Sequence, residues 1–246
     1  MDPSEYDVMY RVEDSHWWYK GMAAISLSII KNWIPDLQNL NILDAGCGTG
    51  ASIRSLLAGW GDTLGIDLSN KALQLCRARG IQPLVQASVC DLPIAGSTFD
   101  LITSLDVLYS AEVPDTALAL KDLLRVLTPE GHLLLRVPAY NWLRGSHDVI
   151  VHTARRFTRK EVISLLDSAG FTILHVTYVN TLLFPFVLVK RMIERILPPR
   201  NPGSELRIRF GKLNTILTAI LSLEAPLASK YQLPFGLSVV AIARRK

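Results

Sequence analysis

Three observations predict an α/β fold built on a parallel sheet. Short apolar runs of strand length alternate with helix-length stretches from Asn41 to Val179, the pattern of strands joined by right-handed helical crossovers. The first run, Ile42-Leu43, leads into Gly46, Gly48 and Gly50, which reads as a buried strand, a tight turn and a helix start. A chain of 246 residues is long enough for one α/β domain with insertions and a full core.

The elements follow in order. Residues 1–39 precede the first strand as an N-terminal helical cap, with a helix from Lys20 to Ile34 that Pro35 ends. Before it, Trp17, Trp18 and Tyr19 stand in a row. Adjacent aromatics do not share one helix face, so some of them serve a cap, a lid or a partner. Strand one is 41–45, and a helix runs from Thr49 to about Ala58. Strand two is 63–66 and ends on Asp67; the next helix has Ser69 as N-cap and stops at Gly80. Strands three and four are 83–87 and 99–104, followed by a helix over 116–127, a Pro129-Glu130-Gly131 turn and strand five at 132–137. Thr158 and Glu161 have capping-box spacing for a helix to Ser168. Strand six is 171–179, and the last strand begins at 237. A hairpin needs only a few residues, so 180–236 is an insertion of two or three helices. The whole chain, 1–246, then forms one domain: cap 1–39, core 40–179, insertion 180–236 and last strand 237–246.

Charge is unevenly placed. Residues 186–246 hold 11 Lys and Arg against 3 Asp and Glu, while the whole chain is +4. A basic C-terminal quarter suits a polyanionic or membrane-surface neighbour, or simply a solvated face. Cys47, Cys76 and Cys90 form no C-x-x-C pair, which implies neither a metal site nor a disulfide framework and fits a reducing cytosol. The first residues lack the basic-then-apolar order of a signal peptide. No run approaches the ~20 apolar residues that span a bilayer, although mean hydropathy is high at +0.25. A cytoplasmic location is expected, with peripheral contact at the inner face of the membrane as its extension.

The glycine turn is the chemical centre. Glycines there give the turn its φ/ψ and let a ligand approach bare backbone, and the following helix N-terminus offers free N–H groups. Gly46, Gly48 and Ala51 fit a dinucleotide fingerprint loosely. Asp44, two residues before Gly46, argues otherwise: it would repel a pyrophosphate and attract an ammonium group. S-adenosylmethionine carries an ammonium, a sulfonium and no phosphate. Asp67 ends strand two, where a carboxylate can accept both ribose hydroxyls of an adenosine cofactor.

The run Asp44-x-Gly46-x-Gly48-x-Gly50 resembles motif I of the class I S-adenosylmethionine-dependent methyltransferases. Phe99-Asp100-Leu101-Ile102 and Arg125-Val126-Leu127-Thr128-Pro129-Glu130-Gly131 resemble two later landmarks of that family, so the likeness covers roughly residues 40–137. It implies a Rossmann-like, seven-stranded, mostly parallel sheet with one antiparallel strand, helices on both faces and the helical insertion between strands six and seven. It implies S-adenosyl-L-methionine as cofactor, with Asp44, Gly46, Gly48, Gly50, Asp67, Leu68, Ser88, Val89 and Ser104 around it. Ser88 stands where the family usually has an acid for the adenine amino group, and Ser110 where relatives often have His.

Beyond strand five, Tyr140, His147, Asp148, His152, Arg155 and Arg156 crowd one loop. Its expected role is to hold the acceptor, with His147 or His152 as general base and Arg155 and Arg156 on a carboxylate or phosphate. The alternative is a surface loop whose arginines pair with helix acids. Glu13-x-x-His16-Trp17-Trp18 resembles a bacterial subset of the family, one associated with glycan or lipid-linked sugar assembly, and makes Trp17 and Trp18 expected acceptor contacts. The acceptor is then a small molecule, a glycan or a lipid-linked molecule methylated on oxygen, with no nucleic-acid partner and no metal. Leu182 to Leu197 joins an apolar run to Lys190, Arg191 and Arg195, so membrane contact through 182–212 is expected; a packed helical cap or a dimer contact is the other option. Two rival functions remain, an NAD-dependent oxidoreductase and a non-catalytic cofactor-binding adaptor.

Overall fold

The computed structural model describes residues 1–197 and 211–246, with the side chains of Ser146 and His147 outside that description. Arg207 and Arg209, later basic residues of the 182–212 stretch expected at a membrane, also lie outside it. Seven strands form one sheet in the order β3-β2-β1-β4-β5-β7-β6. They are β1 (Leu40–Ala45), β2 (Gly61–Asp67), β3 (Leu84–Gln86), β4 (Phe99–Leu105), β5 (Leu127–Pro138), β6 (Phe171–Val179) and β7 (Ser238–Arg245). β1 to β5 pair in parallel, and β7 runs antiparallel between β5 and β6. This is the Rossmann-like methyltransferase fold. β5 starts five residues earlier than expected, because Leu127 pairs with Phe99 ahead of the Pro129-Glu130-Gly131 turn.

Period-two alternation divides the apolar residues between two cores. Ile102, Leu133, Leu135 and Ala241 face α4 (Thr116–Val126) and α6 (Arg159–Ala169). Ile42, Leu101, Leu134, Val240 and Ile242 face α2 (Trp17–Trp33) and α8 (Lys212–Lys230). α3 (Asn70–Ala78) starts at Ser69, whose hydroxyl accepts from the Ala72 amide, and the Thr158–Glu161 capping box on α6 is present on both arms.

Three local differences from the sequence reading bear on the site. Residues Pro3–Val12 form a helix, α1, that the sequence reading did not separate from the cap. α2 starts three residues before Lys20, because the His16 side chain accepts from the Trp18 amide and caps it. After the glycine turn, the expected helix is a short turn that widens to π geometry over Ile53–Leu57. In the insertion, α7 (Phe184–Ile196) and α8 are the helices among the described residues. The Glu224 carboxylate on α8 accepts from the amides of Thr181 and Leu182 at 2.8 and 3.0 Å, which fixes the exit of β6 against α8. A short α5 (Ser146–Ile150) lies in the loop after β5.

Candidate functional site

A cavity of about 960 Å³ opens at the carboxyl edge of β1, β4, β5 and β6, beneath α1, α2, α7 and α8. This edge is where ligands of open α/β sheets bind. At one end lies the glycine turn. Gly46 has φ +87°, and a Cβ there would sit 2.2 Å from the Val107 side chain; only glycine fits both the conformation and the space. Asp44 is 1% exposed and lies behind the cavity wall, where it accepts from the hydroxyls of Ser52 and, at 2.7 Å, Thr103. Burial raises its carboxyl above the usual range, and the two hydroxyls oppose that shift.

Asp67 lies on the cavity wall and accepts from the amides of Gly48 (2.9 Å) and Ser69 (2.8 Å). Burial raises its carboxyl, against the pull of those two amides. Leu68, Ala87, Ser88 and Val89 continue the wall. The Ser88 hydroxyl accepts from the Cys90 amide at 3.1 Å and so closes its own turn.

α1 covers this end. Tyr6, Met9 and Glu13 line the cavity from it or from its C-terminal cap. Glu13 accepts from the Thr49 hydroxyl and pairs with Arg79 at 2.7 Å. Burial raises the Glu13 carboxyl, while Thr49 and Arg79 hold it back. Lys71 pairs with Asp7 at 2.8 Å, and the N-terminal ammonium pairs with Glu112 at 2.7 Å. Glu13, Asp14, Asp67 and Glu112 all line the cavity here, with Asp44 behind them. Arg79 and Arg54 offset Glu13 and Asp14, and the N-terminus offsets Glu112; Asp67 and Asp44 are the carboxylates left to favour a cation over a pyrophosphate.

The middle of the cavity is built from strand ends. Asp106 follows β4 at φ +59° and Asn180 follows β6 at φ +61°, a left-handed conformation that Asp and Asn tolerate better than most residues. Arg136 on β5 holds Asp106 with two nitrogens at 2.7 and 2.8 Å and lies over the Trp18 ring at 5.1 Å. Tyr19 and Tyr109 also line this region, and burial raises both phenols. At the far end the walls are the inner faces of α7 and α8.

The expected site residues scatter more than their spacing suggests. Gly46, Gly48, Asp67, Leu68, Ser88, Val89, Trp17, Trp18 and Arg156 line the cavity; Asp44, Gly50, Ser104, Tyr140, Arg155 and His152 do not. Ser104 is fully buried within β4. Gly50 packs away from the cavity, where a Cβ would meet Ile81 at 2.2 Å. His152, the expected base, sits at the surface 2.9 Å from Asp2. His147 belongs to α5, and its side chain lies outside the described residues. Tyr140 stacks between Trp142 and Tyr178, and the Arg155 guanidinium lies 4.2 Å from the Phe157 ring centre. Arg156 grips Asp148 with two bonds of 2.8 and 3.0 Å and donates to the Ala139 carbonyl at 3.1 Å. Burial alone would raise the Asp148 carboxyl, but Arg156 overcomes it and holds the group below its usual range. The run from Ser104 to Tyr109 is expected at the ligand edge of the fourth strand, but the sequence reading gave Asp106 and Tyr109 no role and passed over Arg136, Ser26 and Asn180. A charged residue inside an apolar strand, as with Arg136, was the available signal.

This site fits S-adenosylmethionine by its donor set. A bare-backbone turn, a carboxylate at the end of β2 and a surplus of negative charge match an adenosyl group joined to an ammonium and a sulfonium. Residues 43–135 match the family model for a methyltransferase domain. The ubiquinone biosynthesis O-methyltransferase of Alkalilimnicola ehrlichii is 28% identical over 134 residues, 49% of this chain and 53% of that protein. The probable tRNA methyltransferase 9B of Mus musculus is 29% identical over 126 residues, 50% of this chain and 25% of that protein. A crystal structure of an S-adenosylmethionine-dependent methyltransferase from Mesorhizobium loti superposes with a TM-score of 0.56 at 20% identity, covering 88% of this chain and 95% of that one. The chain spans about half the length, or less, of the curated relatives it matches. Residues 43–135 thus match a methyltransferase domain, and the fold around them is that of a solved S-adenosylmethionine-dependent methyltransferase.

Proposed function

We propose that the chain methylates an oxygen atom of a small-molecule, glycan or lipid-linked acceptor. The observation that carries this reading is the continuity of the carboxylate-rich glycine-turn compartment with a second compartment walled by the strand ends, α2, α7 and α8. Bound S-adenosylmethionine supplies a methyl group already activated on its sulfonium, so the protein's work is binding and alignment.

In this reading Gly46 and Gly48 present backbone, and Asp67 accepts the ribose hydroxyls with the lone pairs that Gly48 and Ser69 leave free. Gly50 keeps the turn close to Ile81. Leu68, Val89 and Ser88 border the adenine, and Ser104 supports the sheet beneath. Asp44 favours the ammonium through the charge it places behind Ser52. Trp17, Trp18 and Arg156 border the acceptor. Asp106, held by Arg136, is positioned to accept the proton of an acceptor hydroxyl. The mostly apolar walls of the acceptor compartment support an amphiphilic small molecule over a nucleic acid. Peripheral membrane contact fits the outer face of α7, where Val189, Met192, Ile193 and Ile196 are 53–78% exposed, but it does not involve Arg191. That guanidinium is 7% exposed and pairs with Glu194 at 2.6 Å. Among the described residues, no helix is long and apolar enough to cross a membrane. Flotation with anionic vesicles at low salt tests the contact: the protein should rise with the vesicles and stay behind at high salt.

Methyl-labelled S-adenosylmethionine tests the function. Incubation with separated lipid, polar-metabolite and nucleic-acid extracts should label the lipid or metabolite fraction. Asp106→Asn should lower kcat by roughly 10²-fold or more while leaving S-adenosylhomocysteine affinity near wild type. Label entering only the nucleic-acid fraction would contradict the acceptor assignment.

A further inference from the structure

We propose that the acceptor is an amphiphile whose hydroxyl-bearing head is held by Asn180 and Ser26, and whose apolar tail lies between the inner faces of α7 and α8. This rests on the methyltransferase reading above and narrows its substrate class.

Asn180 and Ser26 are both fully buried, and both line the cavity. Neither the amide nitrogen nor the amide oxygen of Asn180 has a partner among the described residues, and the Ser26 hydroxyl has none either. Burying an amide and a hydroxyl without partners is unfavourable, and native structures rarely leave such groups unpaired. Together they offer one N–H₂ donor, one carbonyl acceptor and one hydroxyl that does both. A ligand hydroxyl, itself donor and acceptor, satisfies that set; a simple anion or an ammonium satisfies only part of it. Asn180 leaves β6 at the same sheet edge where Asp106 leaves β4 and where β5, which carries Arg136, ends at Pro138. β5 and β7 separate β6 from β4, so a head held at Asn180 shares the cavity with Asp106 and must extend along the sheet edge to reach it.

The tail follows from the helix faces. Leu183, Phe186, Val187 and Lys190 of α7 line the cavity, as do Leu213, Ile216, Leu217 and Ile220 of α8. Each set has the i, i+3, i+4, i+7 spacing of a core-facing stripe. Here the stripes face cavity space: Phe186 is 73% exposed, Ile216 56% and Leu213 48%. The cavity volume of about 960 Å³ is at the top of the ~300–1,000 Å³ range of small-molecule pockets, room for an elongated acceptor beside the cofactor. The apolar residues of α7 and α8 lead from the cavity toward the surface beside Lys190 and Arg191, so a chain attached to the head has a mostly apolar path outward.

The test uses hexyl, octyl and decyl β-D-glucopyranoside below their micellar concentrations. They are titrated calorimetrically into protein saturated with S-adenosylhomocysteine. Affinity should rise by up to about fourfold per added methylene. Ile216→Glu should flatten that dependence. Ser26→Ala should weaken all three ligands by a common factor of roughly tenfold and leave thermal stability equal or higher, because an unpaired buried hydroxyl is removed. A purely structural Ser26 would leave glucoside affinity unmoved. Wild-type affinity that ignores chain length, or an Ile216→Glu variant that keeps the dependence, overturns the proposal while S-adenosylhomocysteine binding leaves the methyltransferase reading standing. Failure of the wild type to bind S-adenosylhomocysteine overturns both.

Discussion

Asp67 joins the turn to the helix that follows it: one carboxylate oxygen accepts from Gly48 and the other from Ser69. Each oxygen keeps a lone pair beyond its amide partner, so Asp67→Ala should cost the cofactor its charge-assisted bonding there, about 1.5–3 kcal/mol in all, a roughly 10- to 100-fold loss in S-adenosylhomocysteine affinity by calorimetry. A pH titration of the same affinity adds a sign. Asp44 and Asp67 are raised above ordinary carboxylates, and only their ionised forms attract an ammonium or accept two hydroxyls. In the free protein both therefore take up protons at a higher pH than an ordinary Asp. Affinity should start to fall on acidification while surface aspartates are still ionised. An affinity that stays flat until ordinary carboxylates titrate would count against the assignment. Asp67 was legible from sequence because its place at the end of a strand follows from local spacing. His152 was not, because its partner Asp2 lies at the other end of the chain and no local pattern links them.

Among the elements, α1 was the least legible. Its ten residues mix polar and apolar side chains, and tertiary partners hold it: Lys71 for Asp7, Thr49 and Arg79 for Glu13, and Glu112 for the N-terminus. The Trp17-Trp18 segment was expected to serve a cap, a lid or a partner; those residues begin α2, and α1 covers the glycine turn. Glu13→Ala should loosen that cover, and S-adenosylhomocysteine should dissociate several-fold faster in stopped-flow displacement; an unchanged rate would mean that α1 does not limit escape. The capped elements were legible in detail. Thr158–Glu161 and Ser69 sit where capping chemistry requires, and β6 spans the expected residues. α2 and α8 meet at Gly21, where a Cβ would lie 2.4 Å from Leu221. Gly21→Ala should therefore cost about 1–3 kcal/mol by overpacking and lower Tm by several degrees, despite alanine's better helix propensity.

At the scale of the molecule, the parallel part of the sheet was legible from the alternation of strands and helices, while the antiparallel strand followed only from the family resemblance. The path of the insertion was not: Lys190, Arg191 and Arg195 read alike in sequence, yet only packing turns Arg191 inward. The histidines give the fold a pH dependence. Burial lowers the pKa of His16, His132 and His175 below the usual 6.5. The unfolded chain therefore takes up protons first, and stability is lost as pH falls through about 6.5. The raised carboxylates Glu13, Asp44 and Asp67 act with the opposite sign, in the window just above the ordinary carboxylate range. Scanning calorimetry should show Tm dropping between pH 7 and pH 5.5, and His175→Gln should reduce the slope; a Tm that rises on acidification across that range would contradict the burial argument. Which cofactor the glycine turn accepts decides what the molecule does. Calorimetric titration of the purified chain with S-adenosylhomocysteine and, separately, with NAD answers this most directly. Saturable one-to-one binding of S-adenosylhomocysteine, no heat with NAD, and loss of binding in a folded Gly46→Val variant is the result predicted here. Binding of NAD, or S-adenosylhomocysteine affinity that survives Gly46→Val, would contradict it.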